Sequence, residues 1–233
     1  MKMTPVFLIL LIFWGNMLTA QEDDDMKDYG KVSGQLDSIY QSDQKVRFEL
    51  MALKSKLDKA TGQEKVALQQ EFAASILTMQ KNDSMNLRAV RAIIDEYGWL
   101  GPGKIGGQAS QAMFLVIQHA DIDVQKKYLP LIREAAEKGE TSKSNLALLE
   151  DRIAIREGRE QIYGSQVWVD PVTNTHYVDL LSDPDHVDER RAEVGLPPME
   201  VYLKQAFGME WDPETYKSDV LPKLKALKAS AKK

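Results

Sequence analysis

The chain has 233 residues, 43% of them hydrophobic, enough to bury one core, so one domain with tails is the expected organisation. Its formal charge of −5 argues against a nucleic-acid partner, which would need a basic surface to meet phosphate. It has no cysteine, which excludes a disulfide framework, a thiolate nucleophile and a lipid-modified cysteine.

At the N-terminus Lys2 precedes an unbroken apolar run from Val6 to Trp14, and Leu18-Thr19-Ala20 offers the small residue that a signal peptidase requires. The run is shorter than the about 20 residues of a bilayer span. Residues 1–20 are therefore expected to be a cleaved Sec signal peptide, with an uncleaved anchor as the alternative. The mature protein would be periplasmic or secreted, with no stable membrane insertion. Loss of Lys2 takes the charge from −5 to −6 and leaves the acidic run Glu22 to Asp25 near the new terminus.

Residues 21–85 read as an N-terminal helical region. Leu36, Ile39, Tyr40, Val46, Leu50 and Leu53 recur at helical spacing, with a break expected near Ser42. Thr61 and Glu64 are spaced as a capping box for a second helix, and Asn82-Asp83-Ser84 suggests a stop and restart. Such a helical pair would serve as packing scaffold or as a docking surface for a protein partner.

Residues 86–210 form the expected main helical domain. The glycine-dense stretch Trp99 to Gly107 lacks the Gly-Lys-Ser/Thr ending of a phosphate loop and reads as a tight turn setting Trp99 against the next helix. That helix, from about Gln108 to Ala120, has an apolar face with His119 at its flank and Gln118 pointing away. The next, from about Val124 to Lys138, contains Pro130, where a kink or boundary is expected. A helix near residues 145–156 is apolar on two sides, as in the middle of a domain, and places Asp151 and Arg152 within one of its stripes.

After Gly158 the pattern changes to period two. Residues 166–170 and 175–181 read as a β-hairpin, and short helices follow Asp183-Pro184 and Pro197-Pro198. Residues 211–233 end in Lys223, Lys225, Lys228, Lys232 and Lys233 without an acid from Lys223 on, a basic tail expected to fray. The fold class is thus mainly α (α+β): a helical bundle with one small β-hairpin near residues 165–181.

The block from Tyr97 to Tyr202 carries Gln118-His119-Ala120-Asp121, Asp151-Arg152, Gln161-x-Tyr163-Gly164-Ser165-Gln166 and Val187-Asp188-x-Arg190-Arg191-x-x-Val194-Gly195-Leu196. In this combination it resembles an uncharacterised bacterial family, a domain of unknown function. The resemblance implies no particular activity, cofactor or partner.

The polar residues that interrupt apolar patterns are the candidate site. His119, Asp121 and Asp151 are candidates for catalysis, with His119 as general base oriented by one of the two carboxylates. Arg152, Gln161, Tyr163, Gln166, Arg190 and Arg191 are candidates for binding a small polar or anionic ligand. A metal version would draw on His119 and Asp121 with His176 or His186, but these lack paired ligand spacing, so no metal and no cofactor is expected. A buried structural network, for instance Asp151 with Arg190 or Arg191, uses the same residues. A ligand pocket, a metal-independent hydrolase and a structural or interaction protein of the cell envelope are therefore the readings to separate.

Overall fold

A computed structural model describes residues 29–170 and 172–230. The expected signal peptide, the acidic run behind it and the last two lysines lie outside the described residues. The first helix, α1 (Tyr29–Leu57), buries Val32, Leu36, Ile39, Asp43, Val46, Leu50 and Leu53. These positions alternate steps of four and three, the stripe of a helix packed along its whole length. The break expected near Ser42 does not occur. The Ser42 hydroxyl donates to the Ile39 carbonyl at 3.0 Å, inside the helix.

The second helix, α2 (Gly62–Tyr97), runs through Asn82, Asp83 and Ser84 without the expected restart. Two of these polar side chains are engaged without breaking the helix: Asp83 accepts from Arg47 and Ser84 donates to the Gln80 carbonyl one turn back. Thr61 stands at the N-cap in extended conformation, but its side chain makes no cap hydrogen bond, so the capping box is not formed. The buried residues of α2, Asn86, Val90, Ile93 and Ile94, all fall in its C-terminal third.

A turn then brings the chain close to itself. The Trp99 ring is buried and donates to the Glu140 carbonyl. Gly101 is required there, since a Cβ would come within 2.8 Å of the Glu140 Cα. Two helices follow, the single-turn α3 (Pro102–Ile105) and the longer α4 (Gly107–His119). α4 is buried around most of its circumference, including Ser110, Phe114, Ile117 and Gln118, and leaves the flank of Gln108, Gln111, Leu115 and His119 less covered. Gln118 does not point out to solvent as expected, because the helix that carries Leu148 covers that flank: the Gln118 amide donates to the Leu148 carbonyl at 3.4 Å.

α5 (Ile122–Glu137) continues past Pro130. Proline removes one N–H, but the residue is exposed, and so is Lys126, whose carbonyl loses its donor; water can serve it. α6 (Lys143–Arg156) starts from Ser142, whose hydroxyl accepts from the Asn145 amide. Side chains of α1, α2, α4, α5 and α6 share one core around Leu36, Val90, Met113, Phe114, Ile117, Ile132 and Leu149.

The hairpin appears where expected, as β1 (Val167–Val169) antiparallel to β2 (His176–Val178), with Trp168 opposite Tyr177 and their rings stacked at 6.0 Å. A 3-10 turn (Pro184–His186) leads into α7 (Val187–Glu193), and α8 (Met199–Phe207) follows. A second core joins Val178, Leu181, Val187, Met199, Leu203 and Tyr216. The chain ends in α9 (Pro213–Thr215), a π-helical turn (Tyr216–Val220) and α10 (Leu221–Ser230).

The described part of the basic tail is helical, a correction to the expected fraying. Leu224 is fully buried, the Lys223 amine sits 5.1 Å from the centre of the Tyr177 ring, and Lys228 pairs with the buried Asp179. The lysines have partners on the hairpin side that their own segment does not show. The fold is mainly α with a single small two-stranded sheet among the described residues. No described helix is long and apolar enough to cross a membrane.

Candidate functional site

Most of the residues singled out by pattern converge on one loop, residues 161–166, between α6 and β1. Asp151 is 1% exposed and accepts from the backbone amides of Ile162, Tyr163 and Ser165 at 2.8 to 3.2 Å. Gln161, fully buried, donates to the carbonyls of Gln166 and Asp179 and accepts from the Gln166 amide. The Gln166 side chain donates to the Ser165 hydroxyl.

Both neighbouring arginines grip carbonyl oxygens. Arg190 donates to Ile162, Ser182 and Asp183 carbonyls and pairs with the Asp183 carboxylate. Arg191 donates to the carbonyls of Tyr163 and Pro197, both at 2.6 Å, with its guanidinium 4.9 Å from the Tyr202 ring centre. The expected pairing of Asp151 with an arginine is replaced by this division. The carboxylate takes main-chain donors and the guanidinium groups take main-chain acceptors, so each polar group saves the loop from leaving an unpaired backbone atom. Of the loop's side chains, Tyr163 lines a cleft of about 220 Å³ with Arg133, Glu150, Lys143 and Val194. Burial pushes its phenol above the ordinary value.

Arg152 differs from its neighbours. Its Nε is sealed from solvent with no hydrogen-bond partner among the described residues. Burial pushes its guanidinium below the ordinary arginine value, and the positive charges of Arg156 and Arg47 act in the same direction. Arg156 is held to the end of α4, donating to the Ala120 carbonyl at 2.8 Å.

His119 lies at that same helix end, and its carboxylate neighbour is one that the sequence reading did not single out. The Nδ1 atom is 3.1 Å from Asp43 Oδ1 and 3.0 Å from Arg47 Nε. Arg47 also bonds Asp83 at 2.8 Å and approaches Asp43 at 3.2 Å. Asp121, one of the expected orienting carboxylates, caps α5 by accepting from the Val124 amide. Asp151, the other, is taken up by the loop. The signal for Asp43 was present in the α1 stripe, where an acid occupies a position at which every neighbour of that register is apolar. His176 and His186 have other neighbours, the Phe207 ring and Asp183.

The two carboxylates of this cluster respond oppositely to their setting. Burial raises Asp43, but the His119 hydrogen bond and the charges of His119 and Arg47 outweigh it and hold its carboxyl below the ordinary 3.8. Burial of Asp83, reinforced by the charge of Asp43, pushes it above that value despite Arg47. A lowered carboxyl contributes stability that is present above its unfolded value and lost as pH falls through the folded one. Asp83, being raised, contributes stability that is present below its unfolded value and lost as pH rises through the folded one, which partly offsets the loss from Asp43. Urea unfolding is therefore expected to show little change between pH 7 and about pH 5, then a loss of stability below about pH 4, near the unfolded carboxyl value. Asp43→Asn should flatten that acid limb.

Neither the curated proteins nor the solved structures contain a significant match to the chain. One family profile does match, covering residues 44–211 and so reaching further toward the N-terminus than the motif-bearing block, into α1 and its Arg47. On that match the chain belongs to a family of unknown function, DUF6624.

Proposed function

We propose that this is an exported protein, periplasmic or secreted, that binds a small anionic ligand through Arg152. The export part is supported by the Lys2, apolar run and Ala20 pattern of the N-terminus. The binding part is carried by one observation, the sealed Nε of Arg152 without an acceptor. A half-buried charge lacking a counter-charge is unfavourable, and the positive charges of Arg156 and Arg47 add to this. A carboxylate bound beside the half-buried guanidinium would supply the missing counter-charge, and guanidinium geometry suits its two oxygens. Arg190 and Arg191, candidates for the same role, are spent on carbonyls.

Arg152→Met tests this with opposite signs for the two readings. An arginine kept for structure should lose stability on replacement. One kept for a ligand should leave the unliganded protein unchanged or slightly more stable, since a side chain of similar length replaces an unpaired charge. Acetate, succinate and inorganic phosphate are the probes. At a tenfold excess over Kd, binding adds about 1.4 kcal/mol, a rise in Tm of about 3 to 6 °C. The rise is expected with at least one probe in wild type and absent in Arg152→Met. No rise with any of them at millimolar concentration contradicts the proposal.

A further inference from the structure

The cluster at the end of α4 has one atom with two claims on it. Arg47 Nε and Asp43 Oδ1 both lie within hydrogen-bond distance of His119 Nδ1. A ring nitrogen serves only one of them: it accepts from the arginine when bare and donates to the carboxylate when protonated. Asp43 is 1% exposed and has no water to turn to, so a bare nitrogen lone pair facing its ionised oxygen would be repulsive. Arg47 keeps its ion pairs through Nη2, to Asp83 at 2.8 Å and Asp43 at 3.2 Å, whichever ring nitrogen carries the proton, so only its Nε–H contact is given up. The proton therefore belongs on Nδ1, toward Asp43.

That assignment leaves Nε2 as the bare nitrogen. It is neither bonded among the described residues nor sealed from solvent, and the side chain is 20% exposed. His119 lines a cleft of about 250 Å³ together with Gln80, Asp83, Ser84, Ala120 and Asp121. We propose that His119 is a general base for the hydrolysis of small carboxylic esters in this cleft, with Asp43 as its positioning residue. Nε2 takes a proton from water, and the water oxygen forms a bond to the acyl carbon. The bond from that carbon to the leaving oxygen then breaks, and the leaving oxygen takes the proton back from Nε2. Ester and water give acid and alcohol, and the ring ends as it began. Asp83 and Asp121 in the wall select against an anionic substrate and for an uncharged ester. Gln80 offers a neutral amide donor for the developing oxyanion.

The inference uses residues other than Arg152 and does not depend on the anion site. The probe is p-nitrophenyl acetate with the full mature chain. His119→Asn keeps a donor for Asp43 while removing the base, and is expected to lower kcat/KM by about 100-fold or more. Asp43→Asn is expected to lower kcat with KM unchanged, and to shift the ring toward the Nε2–H tautomer in long-range 1H–15N spectra. A purely structural cluster would change Tm in these variants and leave ester turnover as it was. Equal rates for wild type and His119→Asn overturn the proposal, as does an Nε2–H tautomer in the wild-type spectrum. Should Asp43→Asn not fold, those two measurements still decide it.

Discussion

Asp151→Ala is expected to destabilise the protein by about 3–5 kcal/mol, read as a lower urea midpoint with unchanged slope. Three backbone amides, those of Ile162, Tyr163 and Ser165, lose their acceptor at once. Each buried donor left unpaired costs about 1–3 kcal/mol, and partial rearrangement of the loop keeps the total below the sum. Asp151→Asn should fall between, because an amide retains one oxygen but presents its NH2 to amides that are themselves donors. If Asp151→Ala left the midpoint within about 1 kcal/mol of wild type, the loop would not depend on this carboxylate.

Arg191→Ala should be of similar size, about 3–5 kcal/mol, and should lower Tm by about 10 °C. Arg191 is 1% exposed and heads the largest side chains that are fully buried. Its removal leaves a cavity beside Tyr202 and strips the carbonyls of Tyr163 and Pro197 of their donor. Arg191→Lys is expected to recover less than half of the loss, since a single ammonium cannot reproduce a planar fork aimed at two carbonyls. Combined with Asp151→Ala, the effect should fall short of additive. The two side chains hold opposite sides of the same residue, Tyr163, and the second change finds the loop already loosened.

The element types were largely legible from periodicity, since α1, α5, α6 and the hairpin follow from apolar spacing alone. What failed was punctuation. Ser42, Asn82, Asp83, Ser84 and Pro130 are local signals for a break; Ser42 and Asp83 have partners on the facing helix, Ser84 bonds a carbonyl of its own helix, and solvent serves the carbonyl freed by Pro130. The tail failed for the same reason, because Tyr177 and Asp179, which engage Lys223 and Lys228, lie more than forty residues away in sequence. At the candidate site, pattern found the residues but not their pairings. His119 and Arg152 were both marked as polar breaks in apolar stripes. The partner of His119, Asp43, lies 76 residues away, and no local spacing links the two.

The grip on residues 161–166 has a consequence for how this surface can change. Asp151, Arg190 and Arg191 all hold the loop by its peptide groups, and peptide groups are the same whatever residue supplies them. Ile162, 44% exposed, and the Tyr163 ring therefore decorate a frame that does not depend on their identity. Substitutions at these two positions could retune what the surface meets while the frame stays in place. Such a loop can diversify without unfolding.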